Sequence, residues 1–475
     1  MKSNLLLNVL LKAEEADVEY VSWKNNHEIE LCLKGGSDLD LLVNPNDEAK
    51  FISIILESGF VEAKNKNITY PNVYHFYSYC SNLNVFFHIH LYTKMITGES
   101  HTKGYHFPIE QTLIKRRVKS EEGVFLLSSI DQKKVFLLRH AIKVSSLPSL
   151  FLYLKEKESY KLEYESISKC EFSNESELNN SILDSFDYAN LERDFKLNRV
   201  APFFKVKWKL GGFSRLSAVE ALFTRYSQII YRVLNKTFFR QKKVLGSVGK
   251  VVAITGLDGA GKSTTVNYVS KKYGKYFDVR TIHVGVPKPT IITVPFRLLL
   301  KLKKLAQKNK LSVQEKKENP PVQSVLVALR YCILAYERFS AIKKARRYAD
   351  RGYLVVLDRY PSLNMGVMDS RRIVIDDKSS YLIKKLAKTE DYFYSSCSLP
   401  DLLMNLVVPV DVSIERNQNR VKLDKETDEE IIERYRKNSN LKYNAYTFKE
   451  VNMNRNIDEC MSDIISQIHK MYNHR

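Results

Sequence analysis

The chain has 475 residues, of which 44% are hydrophobic and 27% charged, and this ordinary globular composition excludes collagen-like and wholly disordered proteins. Its formal net charge of +21 arises mainly in two segments, since residues 203–250 hold eleven Lys or Arg against one acid and residues 288–317 hold nine against one. No apolar run reaches the ~18 residues of a membrane-spanning helix, and six scattered cysteines without metal-ligand spacing indicate a reducing, cytoplasmic compartment.

Apolar runs and turn residues predict an α/β protein with three regions in chain order. These are an α/β domain over 1–125, a helical and basic connecting region over 126–245, and a domain of alternating strands and helices over 246–475. In the last region, long helical patterns separate apolar strands at 250–255, 353–357 and 402–408. This alternation is typical of a parallel sheet flanked by helices.

Two aspartates mark a strand in the first region. In Lys34-Gly35-Gly36-Ser37-Asp38-Leu39-Asp40-Leu41-Leu42-Val43, Asp38 and Asp40 are two residues apart and therefore point to one face. Two carboxylates so placed can bind one or two Mg²⁺ ions. The pattern resembles the Asp-x-Asp strand of nucleotidyltransferases, over roughly residues 15–120. That resemblance implies a nucleotide-binding α/β domain with Asp38 and Asp40 as candidate Mg²⁺ ligands.

Two positions depart from that family. Ser22-Trp23-Lys24-Asn25 stands where a Gly-Ser pair would hold the triphosphate, and Val85–His90 carries histidines where a third carboxylate is expected. The alternatives are therefore an active transferase, an inactive relative used for binding, and an unrelated fold. His88 and His90 share one strand face and form a candidate metal pair, although strand histidines are more often hydrogen-bonded structural residues.

The two basic segments each predict contact with an anionic partner. Within the second, Phe296–Lys308 places basic residues on one helical stripe and leucines on another. Such a helix either lies on an anionic bilayer or packs its leucines on the domain and leaves its lysines in water. Segment 203–250 mixes aromatic with basic residues but contains no recognisable nucleic-acid module, so nucleic acid is the weaker prediction.

The most specific motif of the chain is a glycine-rich loop between a strand pattern and a helix pattern. It reads Gly256-Leu257-Asp258-Gly259-Ala260-Gly261-Lys262-Ser263-Thr264. Its glycines let backbone N–H groups approach phosphate oxygens, and the helix N-terminus adds partial positive charge. Lys262 is predicted to reach the β- and γ-phosphates of ATP, and the Ser263 hydroxyl to bind Mg²⁺. The predicted nucleotide-binding residues are Gly256, Asp258, Gly259, Ala260, Gly261, Lys262, Ser263 and Thr264.

A second carboxylate for the same site is predicted about 100 residues further along the chain. The run Tyr353-Leu354-Val355-Val356-Leu357-Asp358 is a buried-strand pattern that ends in an acid. Asp358 is predicted to hold Mg²⁺ or to orient the attacking oxygen.

These motifs together resemble the thymidylate kinases over roughly residues 250–450. The glycine-rich loop resembles their phosphate loop, Asp358-Arg359-Tyr360 their Asp-Arg-Tyr motif, and Ala335-Tyr336-Glu337-Arg338 their Ala-x-Asp-Arg. Pro400-Asp401-Leu402, followed by Arg416 and Arg420, resembles their last strand and lid.

The resemblance implies a role for each matching residue. Arg338, Arg359 and Tyr360 would contact the acceptor, and Arg338 and Arg359 would hold its anionic group. Arg416 and Arg420 would join Lys262 and Arg359 in stabilising charge on the transferring phosphoryl. Asp358 completes the catalytic set by holding Mg²⁺ or orienting the attacking oxygen. Alternatively, the two lid arginines form an exposed helix face beside Glu415.

The acceptor side departs from the thymidylate kinases. Ile282–Pro289 replaces an Arg-Glu-Pro-Gly stretch, and Pro361–Asp369 replaces the segment that contacts thymidine. The chain is thus similar to a divergent branch often fused to other domains in bacterial surface-polysaccharide gene sets. We predict an ATP- and Mg²⁺-dependent phosphotransferase whose acceptor is a nucleoside monophosphate or another anionic metabolite of sugar type.

Two other functions remain open. One is a housekeeping dTMP kinase that gives dTDP. The other is a nucleotide-gated protein that binds a membrane or nucleic acid through segments 203–250 and 288–317. We further predict a cytoplasmic protein with peripheral contact at the inner membrane surface, and a homodimer.

Overall fold

The structure is a computed structural model. It describes residues 4–143, 147–168, 187–199, 208–246, 248–299, 324–377, 379–418, 427–438 and 440–473. The chain divides into two compact units, Met1–Lys243 with Tyr472–Arg475, and Val244–Met471. The helical region that the sequence separates from the N-terminal domain belongs almost entirely to the first unit.

The first unit mixes helices and strands. Its described helices are α1 (Leu5–Glu15), α2 (Ile29–Leu33), α3 (Glu48–Glu57), α4 (Glu110–Lys115), α5 (Ser129–Lys143), α6 (Leu147–Ile167), α7 (Tyr188–Lys196) and α8 (Ala218–Leu234). Its described strands are β1 (Tyr20–Ser22), β2 (Leu39–Val43), β3 (Val61–Lys64), β4 (Val73–Cys80), β5 (Val85–Tyr92), β6 (Met95–Thr97), β7 (Tyr105–Phe107), β8 (Val118–Lys119) and β9 (Phe125–Leu126). Seven strands form one sheet in the order β3-β4-β5-β2-β1-β9-β8, while β6 pairs with β7.

The centre of this sheet has one apolar and one polar face. Leu39 and Leu41 of β2 lie with Ile89 of β5 and Phe76 of β4 in a buried cluster that includes residues of α1 and α3. Residues on a strand alternate between faces, so the intervening positions point the other way. There the register aligns Asp40 with His90, and His90 with His75.

The second unit is a parallel α/β structure, so the predicted α/β class with a helix-flanked parallel sheet is confirmed. Its strands are β10 (Val244–Leu245), β11 (Lys250–Gly256), β12 (Val279–His283), β13 (Leu354–Asp358), β14 (Leu402–Val407) and β15 (Phe448–Asn452). Its described helices are α9 (Lys262–Gly274), α10 (Val325–Asp350), α11 (Tyr381–Ser395), α12 (Val410–Gln418), α13 (Asp428–Lys437) and α14 (Ile457–Lys470). Five strands pair in the order β12-β13-β11-β14-β15, all parallel.

The sheet of the second unit is buried because its central strands are nearly all apolar. Val251, Ala253, Val355 and Leu357 alternate along β11 and β13 and pack with small residues of α10 such as Ala345. Continuous apolar strands covered on both faces are typical of parallel sheets. The register pairs Ile254 with Asp358 and Asp358 with His283, which brings the carboxyl ends of three strands together.

The predicted basic helix over Phe296–Lys308 lies largely outside the described residues, which stop at Leu299 and resume at Ser324. Leu298 and Leu299, at the described end of this segment, are exposed. Arg297 forms an ion pair with Glu337, which is fully buried and also accepts a hydrogen bond from the Thr293 hydroxyl. A buried carboxylate requires such partners. No helix within the described ranges has both the length and the apolar character needed to cross a lipid bilayer.

Candidate active site

A cavity of about 320 Å³ opens where the carboxyl ends of β11, β12 and β13 meet. Ligands bind at this edge of parallel α/β sheets because loops and helix N-termini converge there. The lining residues are Asp258, Gly259, Gly261, Lys262, Ser263, His283, Asp358, Arg359, Ser413, Asn417, Ile431, Arg434 and Tyr435. The fold therefore brings most of the predicted nucleotide loop together with Asp358 and Arg359.

Two glycines of the loop have conformations that suit no other residue. Gly256 has φ 137°, and a Cβ there would lie 2.5 Å from the carbonyl oxygen of Leu406 on β14. Gly259 has φ 90°, and its Cβ would collide with the Ser413 hydroxyl of α12. The glycine-rich loop therefore packs its backbone tightly against neighbouring elements and leads directly into the first turn of α9. Its N–H groups and those of the helix N-terminus are suited to binding phosphate.

Asp258 is the electrostatic centre of the cavity. Its Oδ1 accepts from Lys262 Nζ at 3.1 Å and from Arg359 Nη2 at 3.0 Å, and its Oδ2 accepts from Arg434 Nη1 at 2.8 Å. Burial disfavours the carboxylate, but Lys262, Arg359 and Arg434 outweigh burial and hold the pKa of Asp258 at about 2. Burial lowers the pKa of Lys262, and Asp258 counteracts that effect.

Asp358 lies at the end of β13, and only one of its two carboxylate oxygens has a hydrogen-bond partner among the described residues. His283 Nδ1 lies 2.7 Å from Oδ2, whereas Oδ1 is buried and accepts no hydrogen bond from the described residues. A buried carboxylate oxygen without a donor is costly unless a cation or water approaches it. With the Ser263 hydroxyl lining the same cavity, this oxygen fits the hard-oxygen environment that Mg²⁺ requires.

The arginines predicted to form the lid differ in their placement. Arg416 lies outside the cavity lining and donates to the carbonyls of Gly259 and Met453, at 3.2 and 3.0 Å. It thus fastens the glycine-rich loop to the segment after β15. Arg420 lies outside the described residues. Arg434 on α13 does line the cavity. The sequence analysis missed it because it resembles one charge among many on a solvated helix face.

Arg338 and Arg359 lie close together but are joined by a protein carboxylate. Arg338 Nη2 donates to Asp369 Oδ1 at 2.6 Å, and Arg359 Nη1 donates to Asp369 Oδ2 at 3.1 Å. Arg359 has φ 77°, a left-handed conformation that is unusual for a long side chain and that tends to occur at functional sites. Tyr360 is buried and donates its hydroxyl to the Ser398 carbonyl, outside the cavity lining.

The first unit gathers its candidate residues on the polar sheet face. Asp40 Oδ1 lies 2.8 Å from Lys24 Nζ and 2.9 Å from His90 Nδ1, and Asp38 Oδ1 lies 2.6 Å from His88 Nδ1. Burial lowers the pKa values of both histidines. Burial also disfavours the Lys24 ammonium, but Asp40 outweighs it and raises the pKa of that lysine.

Asp40 is buried among these side chains, whereas Asp38 pairs with His88 but keeps 56% of its side chain exposed. Within the described ranges, no group of three or more His, Cys, Asp or Glu side chains could hold a metal ion. Two more lysines end on this face, and burial lowers the pKa of Lys103 to about 7 and that of Lys243 to about 8. The charge partner of Asp40 in the structure is thus a lysine.

Two of the solved structures that the chain is similar to are weak structural neighbours. No protein-family model matches the chain, and no curated protein matches it. A thymidylate kinase from Candida albicans is 16% identical with a TM-score of 0.28, covering 48% of this chain and 94% of that one. The protein APE1195 is 13% identical with a TM-score of 0.23, covering 48% of this chain and 98% of its own.

Proposed function

We propose that the second unit is an ATP-dependent P-loop kinase that moves the γ-phosphoryl of ATP to a small-molecule acceptor. The observation that carries this proposal is the convergence of Lys262, Asp358, Arg359 and Arg434 on one cavity beside the glycine-rich loop. Phosphoryl transfer depends mainly on positioning and on cationic stabilisation of the equatorial oxygens. A carboxylate with an unengaged oxygen, a P-loop lysine and two arginines supply those requirements.

Each group has a part in this proposal. Lys262, which now donates to the Leu257 carbonyl and to Asp258, would turn to the β- and γ-phosphates. Arg434 and Arg359 would face the transferring phosphoryl from the other side of Asp258. Ser263 and Asp358 would hold Mg²⁺, which when bound neutralises phosphate charge.

The acceptor of this kinase is proposed from the sequence. The sequence predicts an anionic acceptor, either a nucleoside monophosphate or a sugar-type metabolite in surface-polysaccharide metabolism. A housekeeping dTMP kinase is the alternative. Because Ile282–Pro289 and Pro361–Asp369 replace the family's acceptor segments, we place dTMP second.

The test is ATP consumption by the purified full chain against a panel of nucleotides, sugars and sugar phosphates. Lys262→Ala and Asp358→Asn should each reduce turnover at least 100-fold, about 2.7 kcal/mol of transition-state stabilisation. Arg371→Gln is the matched control, since Arg371 forms an exposed ion pair with Asp391. Undiminished rates in either site variant, with circular dichroism showing folded protein, would exclude the kinase.

A second candidate function, membrane binding, is favoured by the surface of α8. A Ser217–Glu220 capping box starts this helix, and Arg225 anchors one face through two hydrogen bonds to Glu99. The opposite face is an apolar stripe at helical spacing, exposed in the structure, with Phe223 at 76% exposure. Its residues are Val219, Phe223, Tyr226, Ile230 and Val233.

The charges around that stripe suit an anionic bilayer. Lys209, Lys236 and Arg240 are exposed, and Trp208 is 90% exposed. Aromatic residues flanked by basic ones are typical of segments that lie in a membrane interface. The full chain should float with vesicles containing phosphatidylserine, and Phe223→Glu should release it, whereas Leu83→Glu, at an exposed leucine of the β4–β5 turn, should not. Failure to float at low salt would end the membrane proposal and leave the kinase proposal untouched.

A further inference from the structure

Asp369 forms ion pairs with Arg338 and Arg359, the two arginines that the sequence analysis assigns to acceptor binding. Each of its carboxylate oxygens accepts from one guanidinium, Oδ1 from Arg338 and Oδ2 from Arg359. Arg338 also donates to the carbonyls of Val284 and Gly285 and to the Tyr394 hydroxyl. Arg359 also donates to Asp258 and to the Met368 sulfur. Each guanidinium therefore already has a carboxylate partner within the protein.

The loop that carries Asp369 holds this carboxylate in place. Asp369 is nearly buried, and its backbone has φ 58°, a left-handed conformation that aspartate tolerates. Met368 N donates to Asn438 Oδ1 at 2.8 Å, and Ser370 Oγ donates to the Val367 carbonyl at 2.8 Å. A carboxylate fixed by its backbone on both sides acts as a permanent part of the site.

We infer that Asp369, through its ion pair with the cavity-lining Arg359, sets the acceptor class, and that the acceptor is an uncharged hydroxyl compound such as a sugar or a nucleoside. The inference rests on the proposed phosphotransferase function, and it replaces the anionic acceptor that the sequence predicts with a neutral one. A phosphate entering beside Arg359 would meet a like charge already paired with both arginines, and like charges placed side by side oppose binding strongly. A neutral polar acceptor meets no such repulsion.

The transfer to such an acceptor balances without a further reactant. The hydroxyl oxygen forms a bond to the γ-phosphorus of ATP, and the bond from that phosphorus to the bridging oxygen breaks. ADP leaves with the electron pair, and the hydroxyl proton passes to solvent water. The products are a phosphate monoester and ADP.

The first experiment measures anion binding directly. The full chain is saturated with Mg²⁺ and a non-hydrolysable ATP analogue, so that the glycine-rich loop is filled, and inorganic phosphate is titrated in by calorimetry. Wild-type protein should show no Arg359-dependent phosphate site, whereas Asp369→Asn should bind phosphate at least ~10-fold more tightly. Adding Arg359→Gln to that variant should abolish the gain, and Asp391→Asn, at an exposed ion pair, should behave as wild type.

Each outcome decides the inference. Phosphate binding to wild type that is lost in Arg359→Gln would overturn it, as would a folded Asp369→Asn that gains no affinity. If Asp369→Asn does not fold, the comparison of wild type with Arg359→Gln decides alone, since equal and weak phosphate binding supports the inference. Failure of wild type to bind the ATP analogue would instead remove the proposed function itself.

The second experiment compares matched acceptors in the transfer reaction. Wild-type kcat/KM is measured for thymidine against dTMP and for ribose against ribose 5-phosphate. We expect the uncharged member to be preferred, on the order of 100-fold, with the preference reduced in Asp369→Asn. A preference for the phosphorylated member would overturn the inference while confirming that the unit transfers phosphoryl groups.

Discussion

Replacing Lys24 by methionine tests whether the polar face of the first unit is a lysine-paired site or a metal site. Lys24 Nζ lies 2.8 Å from Asp40 Oδ1, and the two side chains are 16% and 2% exposed. At an effective dielectric constant of about 20, charges at this distance attract by ~6 kcal/mol, and desolvation opposes that attraction. Removing one partner of such a pair leaves an uncompensated buried charge, so Lys24→Met should cost about 3–5 kcal/mol of unfolding free energy.

Urea denaturation followed by circular dichroism measures this loss, with Lys34→Met as the control. Lys34 pairs with Glu30 at 3.5 Å with both side chains 74% exposed, and such a pair contributes less than about 1 kcal/mol. Adding Asp40→Asn to Lys24→Met should recover much of the loss, because the unpaired charge is gone. A loss below ~1 kcal/mol for Lys24→Met would refute the lysine-paired interpretation. A rise of the midpoint with added Mg²⁺ or Mn²⁺ that persists in Asp358→Asn and is lost in Asp40→Asn would refute it as well.

Three further predictions concern the second unit. Arg434→Gln should lower kcat by about 10²-fold or more while leaving ATP-analogue binding within a few-fold, since an arginine facing the transferring group acts mainly in the transition state; equal losses in binding and turnover would contradict this role. Gly256→Ala should lower the free energy of unfolding by about 2–4 kcal/mol, because the new side chain adds left-handed backbone strain and a clash with the Leu406 carbonyl. Gly366→Ala is the control: its φ is +77° but the space around it is open, so the loss should be only ~1 kcal/mol in the same urea denaturation assay. Because the folded pKa of Asp258 is depressed to about 2, its stabilising contribution is complete above the ordinary aspartate pKa and is lost as pH falls from about 4 towards 2; acid titrations of wild type and Asp258→Asn should differ in that window, and parallel curves would refute the assignment.

The sequence was sufficient for the parts of the second unit that depend on local pattern. Strands predicted at 250–255, 353–357 and 402–408 correspond to Lys250–Gly256, Leu354–Asp358 and Leu402–Val407. Because these strands are parallel, their carboxyl ends lie at the same edge of the sheet. This is why the glycine-rich loop and Asp358 could be assigned to one site before any coordinates.

The residues that the sequence analysis missed all act through charge pairs that form only in the folded chain. Arg434 reaches Asp258 across 176 positions, and nothing local separates it from its charged neighbours on α13. Asp369 was noted only as the end of a replaced segment, although it joins Arg338 and Arg359. The segment that contains Lys24 was noted only because it lacks the Gly-Ser pair of the nucleotidyltransferases, whereas in the structure the Lys24 ammonium pairs with Asp40. Charge pairing is a property of tertiary structure, and composition alone does not encode it.

The three cations gathered on Asp258 have a consequence for the order of substrate binding. Nucleotide phosphates that draw Lys262 away leave Asp258 with Arg359 and Arg434 alone, so its whole charge is shared between those two side chains. Their position, and therefore the shape of the acceptor pocket, then depends on whether the loop is filled. Coupling of this kind is reciprocal, so each substrate should raise the affinity for the other by the same factor. Initial-rate kinetics should accordingly show substrate synergism, with the apparent KM for the acceptor falling as the ATP concentration rises.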